Sequence, residues 1–229
     1  MKKPMRSSFS KNVDHHEKSR KRMTLLFSLL MVFILVGSSL AYVVLYYGGG
    51  LSGANSIEEY GYSFSQISAD GMNYWQTKID DQKHNFIALP SQVETVTLTD
   101  SAKFSIDRLA AAPFIAVSFM PSVEYKPFMD YALFQLYADG QEQTNKAFYF
   151  GVKEPSADYP TLNQFSCDNQ SALNVSGAPT IELFISNETR VDANGHCVQI
   201  TGFSGADLLY ALERFRYEYY GVSFTNATQ

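Results

Sequence analysis

Residues 24–47 form a run of 24 residues without a charged side chain, TLLFSLLMVFILVGSSLAYVVLYY, which constrains the fold more than any other feature. At about 1.5 Å of rise per residue, a helix of this length spans about 36 Å, which exceeds the roughly 30 Å hydrocarbon core of a bilayer. A buried helix of this length in a soluble domain would carry a polar face. Residues 24–47 contain no charged side chain that could form one. We therefore predict a transmembrane helix over residues 24–47.

The charges that flank this run predict its orientation. Residues 1–23 contain eight Lys and Arg residues against two acidic ones, whereas the rest of the chain is acidic. The positive-inside bias makes residues 1–23 a basic cytoplasmic tail and places the C-terminal domain outside the cell membrane. The alternative is a cleaved signal peptide, because Ser39-Leu40-Ala41 resembles a small-x-small cleavage site. The apolar run continues for six residues past Ala41, which favours a retained anchor.

The part beyond the anchor divides into three segments. Residues 48–56, GGGLSGANS, are typical of a flexible Gly/Ser linker. Residues 57–222 are predicted to form one extracytoplasmic α/β domain, long enough to bury its own core, and residues 223–229 a C-terminal tail. The net charge of −5 argues against a nucleic-acid partner. The predicted helix 24–47 makes membrane lipid the first predicted partner.

The domain is predicted to be mixed α+β and to begin with a β-meander. Alternating apolar side chains predict one strand over residues 59–66 and another over 73–80. The segment 84–90 follows as the second arm of a hairpin, with Pro90 as its end, and residues 93–98 form a further short strand.

A βαβ unit is predicted next. A strand over 114–120 precedes a helix over 127–140, and a strand over 146–152 follows it. A helical crossover of this kind makes the two strands parallel. An earlier helix over 101–111 takes Asp100 as its N-cap. The apolar residues on one face of the crossover helix are Phe128, Ala132, Leu133 and Leu136.

A ββα unit is predicted to complete the domain. Strands over 180–185 and 196–201 are separated by a short strand, 190–192, and by the turn dipeptide Asn194-Gly195. The last helix begins at Ser204. Its predicted buried face contains Leu208, Leu212, Phe215 and Tyr219, and Gly221 ends it. The order βαβ then ββα also fits a thioredoxin-like arrangement, although no Cys-x-x-Cys is present.

Three stretches of the domain resemble an uncharacterised family of archaeal single-pass membrane proteins. They are Trp75–Ile79 with Phe86, Leu89-Pro90 and Val93–Val96; Cys167 with Pro179–Ile181, Asn187–Thr189 and Gly195–Ile200; and Leu208–Gly221, which contains Glu213-Arg214. Aspartate is more usual in the family where this chain has Glu213. The resemblance implies placement at an archaeal cell surface, and it implies no activity.

Cys167 and Cys197 are the only thiols, and both lie on the predicted outer side of the membrane. A structural disulfide between them is the expectation in that compartment. The alternative is a Cys197 nucleophile assisted by His196, which is disfavoured because adjacent side chains on a strand point to opposite faces.

The remaining candidate sites are few. His84 is predicted to face solvent, and with His196 it gives no metal-ligand cluster, so no metal, cofactor or catalytic residue is assigned. Asp80-Asp81 is interpreted as an acidic hairpin turn. Four sequons predict N-glycosylation at Asn169, Asn174, Asn187 and Asn226.

The anchor, linker, sequons and missing catalytic motifs predict a non-enzymatic, membrane-anchored module. Such a module would bind a partner at the cell surface or contribute to envelope or complex assembly. Two alternatives are an extracytoplasmic enzyme of thiol-redox or hydrolytic type and a subunit of a membrane complex. A concave pocket of convergent polar groups would favour the enzyme, and an exposed apolar patch would favour the binding module.

Overall fold

The computed structural model of the 229-residue chain describes residues 56–69, 71–140, 146–170, 173 and 177–224. All of them belong to the second of two units into which the chain divides, residues 55–229. The predicted tail, the predicted helix 24–47, Asn174 and Asn226 lie outside the described residues. Within those ranges, no helix is both long enough and apolar enough to cross a membrane.

The described chain begins with the predicted β-meander, a four-stranded antiparallel sheet in sequence order. Its strands are β1 (Ser56–Glu59), β2 (Tyr62–Ala69), β3 (Met72–Ile79) and β4 (Gln82–Phe86). The prediction of one strand over 59–66 was wrong, because Tyr60 and Gly61 form a tight turn with φ of 51° and 84°. Asp80-Asp81 forms the turn between β3 and β4, as predicted.

One face of the meander is buried, and His84 lies on it. Thr77 pairs with His84 and is buried on the face that also contains Phe86, and only 3% of His84 is exposed. The prediction of a solvent-facing His84 was therefore wrong. Strand alternation explains the outcome, since residues two apart share a face and Phe86 enters the core.

The segment after the meander is helical where a strand was predicted. Helix α1 (Pro90–Val93) begins with proline at its first position, and Gln92 accepts a hydrogen bond from the backbone of Leu89 at 2.8 Å. Proline is favoured there because its φ already suits a helix. Strand β5 is reduced to Thr97–Leu98, so the predicted strand over 93–98 was wrong over most of its length.

A seven-stranded mixed sheet forms the larger layer, in the order β5-β10-β11-β9-β6-β7-β8. Its other strands are β6 (Phe114–Phe119), β7 (Ala147–Val152), β8 (Asn163–Gln164), β9 (Thr180–Ile185), β10 (Arg190–Asn194) and β11 (Cys197–Gly202). Strands β11, β9, β6, β7 and β8 are parallel, and β10 is antiparallel to β11. The mixed α/β prediction, with its meander and its parallel βαβ unit, is confirmed.

The two helices around β6 differ from prediction in detail. Helix α2 (Asp100–Ala111) is capped by Thr99, whose side chain accepts from the backbone of Ala102, rather than by Asp100. In helix α3 (Lys126–Ala138), Phe128 is 38% exposed, and Met129 takes the buried position.

Helix α4 (Gly205–Tyr219) packs against both the seven-stranded sheet and the meander. It contacts β9, β10 and β11 as well as α1, α2 and α3. Its Tyr217 ring stacks on Phe86 of the meander with centroids 4.1 Å apart. Ser204 caps its first turn and Gly221 follows its end at φ 77°, both as predicted. Because both flanks of the helix are covered, its charged residues Glu213, Arg214 and Arg216 are buried as well.

The outer face of the seven-stranded sheet carries a row of residues in register, Gly151, Ser118, Glu182 and Gln199. Residues 153–170 cover this row. Ser118 donates a hydrogen bond to the carbonyl of Phe165 at 2.5 Å, and the Phe165 ring packs against Gly151. The sheet therefore buries a polar row beneath a segment that has almost no secondary structure.

Candidate functional site

An open cleft of about 450 Å³ lies where the β3–β4 hairpin meets the ends of α2 and α4. Its lining residues are Ile79, Asp80, Gln82, His84, Ala110, Lys146, Tyr219, Tyr220 and Gly221. The cleft thus combines one imidazole, one ammonium group, one carboxylate and two phenol rings. These groups come from separate parts of the chain: the β3–β4 hairpin, the residue before β7 and the end of α4.

Lys146 in this cleft makes structural contacts with the end of α2. Its ammonium group donates to the carbonyls of Leu109, at 2.9 Å, and of Ala110, both in the last turn of α2, and the Leu109 carbonyl also accepts from the backbone of Ala112. It also lies 5.7 Å from the ring centre of Tyr219. Burial lowers the pKa of Lys146. The His84 ring lies 4.1 Å from that of Tyr220 and forms the base of the cleft.

A charge cluster of Asp139, Glu213 and Arg216 is buried in the helical layer. Arg216 donates two hydrogen bonds to Asp139 and one to Glu213, each of 2.8 Å. All three side chains are at most 5% exposed. The Arg216 guanidinium also lies 4.8 Å from the ring centre of Phe86. The cluster therefore joins α3, α4 and the meander through one side chain.

The charge cluster contains one more negative charge than positive charge when both carboxylates are ionised. Burial raises the pKa of Glu213 to about 7, and the nearby Asp139 adds to this effect while Arg216 opposes it. Arg216 itself stays charged, because the two carboxylates hold its pKa above the ordinary value despite burial. Glu213 is consequently the group of this cluster that gains a proton near neutral pH.

The cysteines predicted to form a disulfide lie on the outer face of the larger sheet. Cys167 and Cys197 are joined there, with Cα atoms 5.5 Å apart. His196, by contrast, is an exposed residue of the turn between β10 and β11, not a strand neighbour of Cys197. The predicted pairing thus agrees with the structure, and the His196–Cys197 dyad does not form.

Beside the disulfide lies a buried acid that the sequence did not point to. The side chain of Glu182 is wholly buried, with its Oε1 3.0 Å from the ammonium group of Lys153 and its Oε2 accepting from Gln199 at 3.1 Å. The sulfurs of Cys167 and Cys197 and a carboxylate oxygen of Glu182 all lie within 4.8 Å of one another. We call these three residues the thiol–carboxylate cluster.

Aromatic residues gather where α3 meets β7, exposed on α3 and half-buried on β7. Phe134 is 59% and Tyr137 51% exposed on α3, and the Tyr137 ring lies 6.4 Å from that of Phe150 on β7. Phe148 lies a further 6.4 Å from Phe150. We call these four residues the aromatic edge. Among the described residues, only Gly151 and Val152 of β7 pair with β8, which leaves Ala147–Phe150 as an open strand edge.

The predicted glycosylation sites are partly described. Asn169 and Asn187 are both exposed, as a glycan acceptor must be. Asn169 lies two residues after Cys167, and Asn187 follows β9. Both stay predictions.

Sequence reasoning missed the burial and pairing of Asp139, Glu182 and Arg216. The one available signal for Glu182 was its position between two apolar strand residues, Ile181 and Leu183. The expectation of no metal site rested on the histidines, and it left the cysteines and this acid unconsidered as a group.

Comparison of the chain with family models, curated proteins and solved structures gave no match.

Proposed function

We propose that this chain is a membrane-anchored extracytoplasmic module that binds a protein partner through the aromatic edge. The observation that carries the proposal is the exposure of Phe134 and Tyr137, both above 50%, together with the half-buried rings of Phe150, next to Tyr137, and Phe148. Large exposed apolar patches on soluble domains usually mark interaction sites, and aromatic side chains are enriched at the centres of interfaces.

The open edge of β7 supplies the second element of this surface. Its sequence over Ala147–Phe150 contains no Lys, Glu, Asp or Pro, the residues that usually protect a sheet edge from pairing. An extended partner segment would pair with its backbone groups, and the rings of Phe148 and Phe150 would contact alternate side chains of that segment.

The predicted location supports the same proposal. The uncharged run 24–47 supplies the anchor, and the Cys167–Cys197 bond suits an oxidising compartment. The exposed sequons at Asn169 and Asn187 and the resemblance to archaeal single-pass membrane proteins favour a cell-surface position. The thioredoxin-like arrangement is proposed only from the order of the elements and from the parallel pairing of β9 with β6 and β11. The sequence contains no Cys-x-x-Cys, the motif of thioredoxin-type redox chemistry.

The cleft favours binding over catalysis. Its ammonium group, on Lys146, is held by two helix carbonyls, so it does not converge with His84 on a common point. The extracytoplasmic enzyme and the membrane-complex subunit therefore rank as alternatives that the following experiments separate from the binding module.

Site-specific photo-crosslinking in native membranes tests the surface. A photoreactive residue at Tyr137 should give a discrete adduct, whereas one at Phe104, 65% exposed on α2, should give none. The Phe134→Ser/Tyr137→Ser variant should lose the partner on purification, and Phe104→Ser should retain it. Equal adducts at both positions, or retention by the double variant, would contradict the proposal.

Protease treatment of intact cells tests the orientation. Digestion should remove the domain beyond about residue 55 and spare the basic tail, because the positive-inside bias holds that tail in the cytoplasm. A protected domain would refute the orientation, and a mature N-terminus at Tyr42 would show a cleaved signal peptide.

A further inference from the structure

Three elements bring the thiol–carboxylate cluster together. Glu182 lies on β9 and pairs in register with Gln199 on β11, so Cys197, two residues earlier on β11, shares the face of Glu182. Cys167 comes from the covering segment 153–170. The three potential ligand atoms lie within 4.8 Å of one another, although the residues are separated by up to 30 positions in sequence.

One oxygen of the buried carboxylate in this cluster is held by an ion pair and by no hydrogen bond from a described residue. Glu182 is wholly buried, and its Oε2 accepts from Gln199. Its Oε1 receives no hydrogen bond from a described residue, although the Lys153 ammonium group is 3.0 Å away. A buried carboxylate is stable only beside a positive charge, and here that charge comes from a side chain that is 31% exposed.

We propose that reduction of the Cys167–Cys197 disulfide converts this cluster into a binding site for one Zn²⁺ ion. The ligands are the sulfurs of Cys167 and Cys197 and Oε1 of Glu182. Thiolate and carboxylate are both common zinc ligands, at about 2.3 Å and about 2.0–2.2 Å from the metal. In a tetrahedral site the two sulfurs lie roughly 3.8 Å apart and each lies roughly 3.5 Å from the carboxylate oxygen, so reduction must let the bonded sulfurs separate while Glu182 stays close. A water molecule takes the fourth position.

The charges of the three ligands are balanced by the metal ion and by Lys153. In the disulfide form, the carboxylate of Glu182 is neutralised by Lys153. In the reduced form, two thiolates and one carboxylate carry three negative charges, which Zn²⁺ and the retained Lys153 ammonium group match. The cluster is thus neutral in both forms, as a buried site requires.

The conversion proceeds in two balanced steps. A phosphine reductant gives two electrons to the disulfide and takes an oxygen atom from water, whose two protons go to the two sulfurs. Zn²⁺ then replaces both thiol protons, which pass to the solvent. The S–S bond is replaced by two Zn–S bonds, so segment 153–170 stays attached to β11 in either redox state. This inference is independent of the proposed partner surface.

Titration of the full chain in detergent, reduced with a phosphine under anaerobic conditions, tests the site. Cobalt(II) alone serves as the optical probe, and Zn²⁺ should displace it. We expect one equivalent of metal to bind with sulfur-to-cobalt charge-transfer absorption, and the disulfide form to show none. Absence of this absorption from the reduced chain would overturn the proposal.

Variants separate the site from adventitious binding to free thiols. Glu182→Gln should weaken metal binding at least tenfold, which corresponds to about 1.4 kcal/mol or more, because it replaces an anionic ligand with a neutral one. The matched control is Glu154→Gln, an exposed acid next to Lys153. Equal affinity of Glu182→Gln and the wild type would show that the acid is not a ligand, and would overturn the proposal.

Circular dichroism covers the case in which reduction unfolds the domain. The proposal then predicts that Zn²⁺ restores the fold of the reduced wild type but not that of reduced Glu182→Gln. Zn²⁺ should also protect both thiols of the wild type from alkylation. A reduced chain that stays unfolded with and without Zn²⁺ would refute the site.

Discussion

The molecule buries carboxylates in two places and stabilises them in different ways. In the charge cluster, Asp139 and Glu213 share the fixed, permanently charged fork of Arg216, which lies between helices and meander. In the thiol–carboxylate cluster, Glu182 depends on a partly exposed lysine and on a segment fastened by a disulfide. The first lies between regular elements, and the second lies beneath the covering segment 153–170.

This difference indicates separate roles for the two regions. Arg216 makes three hydrogen bonds in a planar geometry that a lysine cannot reproduce, so the cluster holds α3, α4 and the meander in one arrangement. Lys153 has a long flexible stem and partial access to water, so its ion pair with Glu182 can be exchanged. We expect rigidity from the charge cluster and chemical responsiveness from the other.

Removal of Arg216 should give the largest effect and would test the rigid region directly. Arg216→Met leaves two buried carboxylates without their partner, which should lower the free energy of unfolding by about 3–5 kcal/mol. Urea unfolding of the full chain in detergent, followed by the fluorescence of the one tryptophan, Trp75, measures it. The exposed Arg108→Met is the control and should unfold like the wild type.

Removal of the disulfide should have the next largest effect. Cys167→Ala/Cys197→Ala opens a loop of 30 residues, and the unfolded chain gains entropy equivalent to about 3.5 kcal/mol. Limited proteolysis should cut first within 153–170, and urea unfolding gives the total loss. First cleavage in the meander instead would show that the two regions are not separable.

The stability of the rigid region should depend on pH through Glu213. Its pKa is about 7 in the folded chain and 4.5 ordinarily, so the folded state holds the extra proton between these values. The free energy of unfolding of the wild type should therefore fall as pH rises from about 4.5 to 7, at up to about 1.4 kcal/mol per unit. Glu213→Gln should lack this component, and equal pH slopes for the two chains would contradict the assignment.

Neutralising Glu182 should have the smallest effect on stability. The glutamine oxygen of Glu182→Gln can still accept from Gln199, and Lys153 can turn towards water, so we expect a loss of about 1 kcal/mol. Comparative thermal unfolding of the oxidised wild type and variant provides the measurement. A loss as large as that of Arg216→Met would abolish the distinction between the two regions.

Local patterns in the sequence predicted most elements of the larger sheet and the last helix. The apolar runs of β6 and β9 and the capping residues Ser204 and Gly221 act over a few positions, so they can be recognised without the fold. Turn geometry was harder: Tyr60-Gly61 interrupts an alternating pattern that otherwise continues across it. Proline at the start of α1 was interpreted as the end of a strand, whereas it favours the first turn of a helix.

The candidate sites were far less predictable than the elements that carry them. Cys167 and Cys197 could be paired because the chain has no other cysteines. His84 shares a strand face with Phe86, but which face of the meander is buried depends on α4 packing over it, so the position of His84 was misjudged. The exposure of Phe134 and Tyr137 contradicts their hydrophobicity, so it could not be inferred from residue type.

The sequence by itself determined the uncharged run 24–47, the acidic composition beyond it, the disulfide partners and most strands and helices around the larger sheet. Only the tertiary structure decided which charged residues are buried. Asp139 and Arg216 are 77 positions apart, and their pairing requires α3 and α4 to pack side by side. A charge is stable inside a protein only when distant elements supply its counter-charge and hydrogen bonds, and that condition is a property of the folded arrangement.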